Sequence, residues 1–235
     1  MPVYAVTGAS GHLGCFVVQS LLARGVPPSQ VVAVVRTRAK AADLAARGVR
    51  VREADYSRPQ TLGSALAGAD RLLLVSGNEP GQRVVHHANV IGAARMAGVS
   101  RIVFTSMLNA DRITSPIAGD YQDSERALRE AGVPFTVLRN GLYMERYTDH
   151  LSDYLEAGEI TGAAGNGRIS AASRQEYAAA AAAAILQDET GNRIVAAVDA
   201  SIARGELETT SADLANLLGQ AATGLTKVVR AAHVG

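Results

Sequence analysis

Short apolar runs alternate with longer amphipathic segments through the first 140 residues of the chain. Six runs rich in valine, leucine and isoleucine are apolar at successive positions, which predicts parallel strands covered on both faces. Five intervening segments repeat apolar residues at helical spacing, and a glycine follows each of them where a left-handed cap is needed. The predicted strands are 3–7, 31–36, 49–54, 71–76, 101–106 and 134–139, and the predicted helices are 12–24, 38–47, 59–67, 81–97 and 116–131. This order predicts an α/β fold with a right-handed, doubly wound parallel sheet.

The first predicted strand runs into three glycines spaced three apart, and a helical pattern follows at once. A helix that begins there presents unpaired backbone N–H groups and the positive end of its dipole, which suits a pyrophosphate. We expect Gly8 to allow the tight turn, Gly11 to admit the phosphate and Gly14 to let the helix pack against the strand. The strand before the glycines and the helix after them indicate a Rossmann-type dinucleotide site. Its predicted cofactor contacts are Gly8, Ser10, Gly11, His12 and Leu13.

Beyond Asn140 the periodicity changes. We expect a helix over 142–157, a glycine-rich loop over 158–170 and a helix over 173–186, where Ser173 and Glu176 have the spacing of a capping box. A short strand over 193–198 and two small helices over 211–218 and 225–232 follow. These patterns predict a Rossmann domain over 1–150 and a small, shortened substrate-side subdomain of mixed structure over 151–235, packed on the same core.

The end of the second predicted strand indicates which cofactor is preferred. NAD-binding Rossmann units place an acidic residue there to hold the ribose hydroxyls, whereas this chain has Arg36, about twenty residues past the glycines. Arginine offers a charge-assisted fork to a 2′-phosphate, so we expect NADPH to be preferred over NADH. The alternative is that Arg36 and Arg38 only begin a solvent-facing helix. Asp55 can accept from the adenine amino group with Tyr56 beside it, or it can cap the next turn.

Three further strand ends are predicted to line the ribose and the nicotinamide, because such sheets bind ligands at the carboxyl ends of their strands. They contribute Val75, Ser76 and Gly77, then Thr105 and Ser106, and then Asn140, Gly141 and Leu142.

The composition limits which kinds of partner and which cellular compartment are expected. The formal net charge is +1, so neither nucleic acid nor an anionic membrane is expected as a partner. Cys15 is the single cysteine, which excludes an internal disulfide and favours the reducing cytoplasm. No uncharged run is long enough to cross a bilayer. Whether the chain forms a homodimer stays open.

The chain lacks a Tyr-x-x-x-Lys pair, in which lysine favours the ionised form of a catalytic tyrosine. The two lysines, Lys40 and Lys227, each lack a tyrosine four residues earlier. Tyr121 falls in the right region, but its fourth neighbour is Glu125, whose charge would oppose ionisation. His86 and His87 are adjacent and do not share a helix face, so we expect them on a helix surface and predict no metal site.

Together these motifs resemble the NmrA-like proteins, atypical members of the short-chain dehydrogenase/reductase family. The nearest group is the NAD(P)H:quinone oxidoreductases and triphenylmethane reductases. The resemblance covers most of residues 1–190 and is carried by 7–14, 35–36, 54–56, 104–106, 125–128 with 132–136, 138–145 and 173–178. One departure is clear: after the helix 173–186, several tens of residues of the family's substrate-side segment are missing. We therefore expect a shallower, more open substrate pocket.

The resemblance implies that NADPH binds along the glycine turn, Arg36, Ser76 and residues 140–143. It also implies hydride transfer to a quinone-like or other conjugated acceptor. Such an acceptor takes its proton from water afterwards, so the missing Tyr-Lys pair is tolerated. Ser106, Tyr121 and Tyr143 are the candidate catalytic residues, as pocket wall or hydrogen-bond donors, and Tyr143 is alternatively ordinary packing. The second hypothesis is a non-catalytic, redox-sensing regulator that binds NADP(H).

Overall fold

The main sheet is built from parallel strands that the sequence pattern located closely. The computed structural model describes residues 1–79, 81–114, 116–159, 169–188, 191–197 and 213–220. Within these ranges each pair of neighbouring strands runs in parallel. The strands are β1 (Tyr4–Thr7), β2 (Val31–Val35), β3 (Arg50–Glu53), β4 (Arg71–Leu74), β5 (Arg101–Met107), β6 (Phe135–Asn140), β7 (Leu142–Tyr143), β8 (Ala171–Ala172) and β9 (Arg193–Ala197).

Helices connect the strands over both faces of the sheet. Short 3₁₀ turns occupy Pro28–Gln30, Arg38–Ala41 and Pro59–Thr61. The described α-helices are α1 (His12–Ala23), α2 (Ala42–Ala46), α3 (Leu62–Leu66), α4 (Arg83–Met96), α5 (Pro116–Glu130), α6 (Glu145–Thr148), α7 (Leu151–Ala157), α8 (Arg174–Leu186) and α9 (Asp213–Leu218).

The strand order of the main sheet is β3-β2-β1-β4-β5-β6-β9, which confirms the predicted doubly wound α/β fold. The chain leaves β1 toward β2 on one side and later returns to place β4 on the other. The two loops that follow β1 and β4 therefore diverge and leave a crevice at the carboxyl ends of these strands. Ligands of open α/β sheets bind in such a crevice.

Residues of the central strands alternate between two hydrophobic cores, which explains why these strands are apolar on both faces. The edge strand β3 instead carries Arg50, Arg52 and Glu53 and is only partly buried. In β2, Val31, Ala33 and Val35 pack with residues of α1 and α8, whereas Val32 and Val34 pack with residues of α3, α4 and α5. All five are buried. Each buried valine contributes on the order of 1.5–3 kcal/mol, so the sheet is held from both sides.

The predicted helix ends are confirmed, because the glycines at 25, 48, 68, 98 and 132 all have φ between +69° and +85°. The capping box that starts α8 is also confirmed: Ser173 Oγ accepts from the Glu176 backbone N–H, and the Glu176 carboxylate accepts from the Ser173 N–H. The buried alanines of α8, among them Ala178 and Ala182, allow it to pack closely beside α1.

The prediction of one helix over 142–157 is wrong at its start. Leu142 N–H donates to the Ser170 carbonyl and Met144 N–H to that of Ala172, so this backbone pairs with β8 before α6 and α7 begin. The strand predicted over 193–198 is β9, which pairs with β6. The predicted helix over 211–218 corresponds to α9. The predicted helix over 225–232 and most of the loop over 158–170 lie outside the described residues. The division at residue 150 stays a prediction.

Candidate active site

A cavity of about 550 Å³ occupies the crevice at the carboxyl ends of β1 and β4. It brings together side chains that the sequence separates by more than a hundred residues. The predicted site residues that line it are Gly8, Ser10, Gly11, His12, Leu13, Arg36, Asp55, Tyr56, Val75, Ser76, Gly77, Tyr121 and Tyr143. The predicted residues absent from its wall are Thr105, Ser106, Asn140, Gly141 and Leu142.

The glycine turn forms one end of the cavity. Gly8 has a φ of +61°, and its carbonyl accepts from the Gly11 N–H at 2.9 Å, which closes the turn. A Cβ on Gly14 would overlap the Gly8 carbonyl oxygen, so only glycine lets α1 start this close to β1. Gly11 is the N-cap of α1 and makes no side-chain cap. The exposed helix start is therefore a cradle that fits a pyrophosphate.

Arg36 and Lys40 give the next part of the cavity its positive charge, because both line it. The Arg36 side chain is 67% exposed, and its Nη1 lies 2.7 Å from Glu79 Oε1. Arg38, the other arginine considered as a helix start, is not among the lining residues. Arg36 therefore faces the cavity mouth, and a solvent-only position does not describe it.

Asp55 caps the next turn, as one of the two predicted alternatives had it, and its contact with adenine stays a prediction. Its Oδ1 accepts from the Ser57 N–H at 2.9 Å and from the Ser57 hydroxyl at 2.7 Å, which is a turn cap, and the residue also lines the cavity. The Ser57 hydroxyl and N–H hold the pKa of Asp55 below its usual value, so the carboxylate is charged at neutral pH. A charged acceptor at this position suits an adenine amino group.

Tyr56 presents its ring to the cavity, while its hydroxyl belongs to the sheet. The hydroxyl donates to the Val75 carbonyl at 3.0 Å and lies against Thr7 Oγ1, which also accepts from the Val75 N–H. Burial raises the pKa of Tyr56 far above its usual range. The residue therefore forms a fixed wall and takes no part in proton transfer.

Ser76, Tyr121 and Tyr143, the hydroxyl-bearing residues predicted at the site, line the same cavity. Ser76 Oγ is 3.4 Å from Tyr121 Oη, and the Ser76 N–H donates to Thr105 Oγ1 at 2.9 Å. Buried Thr105 thus supports the site without lining it. Burial, opposed by the Asn140 side chain, raises the pKa of Tyr143, so its hydroxyl stays protonated and can donate. The Arg174 guanidinium lies over the Tyr143 ring, 5.6 Å from its centroid.

Arg83 is a site residue that the sequence analysis missed. Its guanidinium lies 5.0 Å from the centroid of the Tyr121 ring and lines the cavity. Its Nε donates to the Gly77 carbonyl at 2.8 Å, and its Nη1 pairs with Asp120 at 2.9 Å. The face of an aromatic ring attracts a cation, so this contact holds the Tyr121 ring at the cavity wall. No local motif predicts this contact, because residues 83 and 121 are brought together only in the folded chain.

The expectation that His86 and His87 lie on a helix surface is wrong, because both side chains are buried. His87 Nε2 accepts from the Gly77 N–H at 3.0 Å, and its Nδ1 lies 2.7 Å from Ser124 Oγ. Burial, together with the charges of Arg83 and His86, lowers the pKa of His87 to about 3. The neutral imidazole therefore fixes the Gly77 backbone at the edge of the cavity.

Ser106 occupies a buried ion-pair cluster beside the site. Its hydroxyl donates to Glu125 Oε1 at 2.7 Å, and Arg139 and Arg129 pair with the same carboxylate at 2.8 and 3.2 Å. The charge of Glu125 is thus compensated by two arginines. Ser106 is not brought to the cavity wall, and its proposed catalytic role stays a prediction.

The described residues contain neither a metal-binding cluster nor a membrane-spanning helix. No group of three or more histidine, cysteine, aspartate or glutamate side chains there could hold a metal ion. Among the helices in those ranges, none is both long and apolar enough to cross a membrane.

The glycine turn, the open start of α1 and the cavity between the loops that follow β1 and β4 define a dinucleotide-binding Rossmann protein. Residues 8–189 match the family model described as NAD(P)H-binding. The chain belongs to this family, and its predicted NmrA-like resemblance is confirmed. An NmrA-like family domain-containing oxidoreductase of Aspergillus flavus is 33% identical over 82% of this chain and 64% of its own length.

Two reductases are similar over nearly the whole chain. Quinone oxidoreductase 2 of Escherichia coli is 44% identical over 95% of this chain and 73% of its own length. A solved structure of an NADPH-dependent quinone oxidoreductase from E. coli, complexed with NADPH, superposes with a TM-score of 0.89 over 97% of this chain and 99% of that chain, at 34% identity. The triphenylmethane reductase of Citrobacter sp., complexed with NADP(H), gives a TM-score of 0.92 at 32% identity, over 98% of this chain and 99% of that chain.

Proposed function

We propose that this protein is an NADPH-dependent reductase that transfers hydride to a quinone-like or other conjugated small-molecule acceptor. One observation carries the proposal: a single cavity joins the glycine turn, the cationic Arg36 and the hydroxyl groups of Ser76, Tyr121 and Tyr143. The similar proteins named above are described as oxidoreductases or reductases, and two of their structures hold NADPH or NADP(H), which supports the same chemistry. No observation favours the alternative of a non-catalytic regulator.

The chain's own groups fit the parts of NADPH in sequence along the cavity. The start of α1 receives the pyrophosphate, and Arg36 with Lys40 offers positive charge to the 2′-phosphate. The wall formed by Asp55 and Tyr56 receives the adenine. Bound NADPH supplies a hydride, so the protein's task is to place the donor carbon next to the acceptor.

The remaining residues hold the acceptor. The hydroxyls of Ser76 and Tyr121, 3.4 Å apart, and the protonated hydroxyl of Tyr143 can donate to an acceptor oxygen. Negative charge develops on that oxygen as hydride arrives, and donors already in place stabilise it. A conjugated acceptor then takes its second hydrogen as a proton from water. This sequence of events accounts for turnover without a Tyr-x-x-x-Lys pair.

NADPH oxidation followed by absorbance, with a panel of quinones and cationic dyes, tests the proposal. We expect turnover with at least one class of acceptor. The variants Tyr121→Phe and Tyr143→Phe should each lower kcat about tenfold or more, whereas Tyr154→Phe, outside the cavity wall, should leave kcat unchanged. Flat traces at high enzyme concentration, in the presence of measurable NADPH binding, would contradict the reductase and favour the regulator.

The proposal extends to compartment and assembly. The single cysteine, Cys15, supports the cytoplasm as the compartment. The proposal includes a homodimer, whose interface would cover exposed apolar side chains such as Val85 and Met96 on α4. Light scattering of the purified protein tests the dimer, and a monomeric mass at micromolar concentration would contradict it.

A further inference from the structure

The negatively charged carboxylate of Glu79 lies where the 2′-phosphate of the cofactor is expected. Glu79 follows β4 in the loop before α4 and lines the cavity together with Arg36 and His86. Its Oε1 lies 2.7 Å from Arg36 Nη1, and its Oε2 lies 3.4 Å from His86 Nδ1. The proposed function uses Arg36 and leaves this carboxylate without a role.

We propose that Glu79 is a second determinant of cofactor choice, acting as a built-in competitor of the 2′-phosphate and as an acceptor for a free ribose hydroxyl. By this inference Glu79 narrows the preference for NADPH over NADH and lets the protein use both. The inference rests on the proposed function, because it assumes that the adenosine ribose lies beside Arg36.

Competition follows from the charges at the cavity mouth. A 2′-phosphate needs the same guanidinium that Glu79 already contacts, and it carries the same sign of charge as Glu79. The Arg36 and Glu79 side chains are 67% and 46% exposed, and exposed ion pairs are weak. A phosphate can therefore displace the carboxylate from Arg36, but the nearby negative charge reduces what it gains.

The ribose of NADH meets a different situation. Its 2′-hydroxyl is neutral and can donate to a carboxylate, which is the contact that an acidic residue at the end of the second strand makes in NAD-binding Rossmann units. Here that strand end carries Arg36, and Glu79 brings the carboxylate to it from the β4–α4 loop. One pair of side chains thus offers a cation to the phosphate and an anion to the hydroxyl.

Isothermal titration of NADP⁺ and of NAD⁺ into the full chain tests the inference without relying on turnover. In Glu79→Gln we expect the Kd for NADP⁺ to fall about three- to tenfold and the Kd for NAD⁺ to rise, so that their ratio shifts toward NADP⁺. Glu53→Gln is the matched control, because Glu53 is an exposed carboxylate at the end of β3 that does not line the cavity. It should leave the ratio unchanged.

The outcomes separate the two proposals. An unchanged ratio in Glu79→Gln, or an equal shift in Glu53→Gln, overturns the role of Glu79 while nucleotide binding stands. Absence of binding by both nucleotides to the unaltered protein overturns the proposed function and this inference together. Thermal unfolding of each variant without nucleotide shows whether the fold is kept. Glu79→Asp, which retains the charge on a shorter stem, should lie between Glu79→Gln and the unaltered protein.

Discussion

At the residue scale, the positive charge of Arg36 is the feature most directly tied to cofactor choice. Replacing Arg36 with Asp should weaken NADPH binding by about 2 kcal/mol, or about thirtyfold in Kd, because a charge-assisted contact is lost. NADH has no 2′-phosphate, so its Kd should change far less. Titration of both nucleotides measures the difference. Arg38→Asp is the control, since Arg38 lies outside the cavity wall. An equal loss for both cofactors would show that Arg36 does not contact the phosphate.

His87 should make the stability of the fold sensitive to acid. The folded state holds its pKa at about 3, below the ordinary 6.5, so under about pH 6.5 the unfolded chain binds a proton that the folded chain excludes. The contribution of His87 to the free energy of unfolding is complete above about pH 6.5 and is lost as the pH falls toward 3. The slope approaches about 1.4 kcal/mol per pH unit.

Urea unfolding at pH 7 and pH 5 measures this effect. Between these values the free energy of unfolding should fall by about 2 kcal/mol more in the unaltered protein than in His87→Gln. The glutamine can still accept from the Gly77 N–H but does not titrate. His150→Gln changes an exposed histidine and should behave like the unaltered protein. Parallel profiles for His87→Gln and the unaltered protein would contradict the buried neutral imidazole.

These residues also show what the sequence could predict at this scale. Gly8 and Arg36 follow β1 and β2 directly, and Gly14 lies in the first turn of α1, so local geometry sets their places in the cavity and a short motif indicates them. Arg83 and His87 reach the site through contacts with Asp120 and Ser124 on α5, more than thirty residues away. Nothing in the spacing of one helix reveals such a partner, and adjacency alone led to the wrong expectation for His87.

At the scale of elements, the start of α1 depends on the absence of a side chain at Gly14. In Gly14→Ala, the new Cβ would overlap the Gly8 carbonyl, so α1 must shift away from β1. We expect a loss of about 1–3 kcal/mol in the free energy of unfolding and a weaker Kd for NADP⁺, because the phosphate cradle moves with the helix. Chemical denaturation and nucleotide titration measure the two effects.

Gly92 in α4 provides the matched control. A Cβ on Gly92 meets nothing within 4 Å, and alanine is favoured over glycine inside a helix by about 0.5–1 kcal/mol. Gly92→Ala should therefore leave the stability unchanged or raise it, with unaltered nucleotide binding. Equal behaviour of the two variants would show that the close contact at Gly14 is not needed.

Elements that are buried along their whole length or begin with a local capping motif could be predicted from the sequence. Elements that form only by pairing with a distant segment could not. The central strands of the main sheet, such as β2, are apolar on both faces, and the sequence displays that pattern directly. β7 has only two residues, and its backbone partners are Ser170 and Ala172. The local pattern does not contain this pairing, so the helical periodicity of the following residues led to the wrong prediction of a helix from residue 142. The start of α8 was predictable because Ser173 and Glu176 form a local capping box.

At the scale of the whole molecule, the site exists only when the sheet is complete. Arg36, Ser76, Tyr121 and Tyr143 come from four separate parts of the chain and meet because β1 and β4 are neighbours. The unfolded chain has no such site, so a nucleotide that binds the cavity must stabilise the fold. At one hundred times its Kd, NADP⁺ should add about 2.7 kcal/mol to the free energy of unfolding.

Thermal unfolding measures this linkage. For a chain of this size, the added stability should raise Tm by about 5–10 °C at that concentration of NADP⁺. At the same concentration Arg36→Asp should show a smaller shift with NADP⁺ and a nearly unchanged shift with NAD⁺, because only the phosphate contact is removed. The prediction does not depend on turnover, so it applies equally to an enzyme and to a regulator. A Tm unmoved by both nucleotides would exclude each of them, since neither function survives without a folded cavity that holds the dinucleotide.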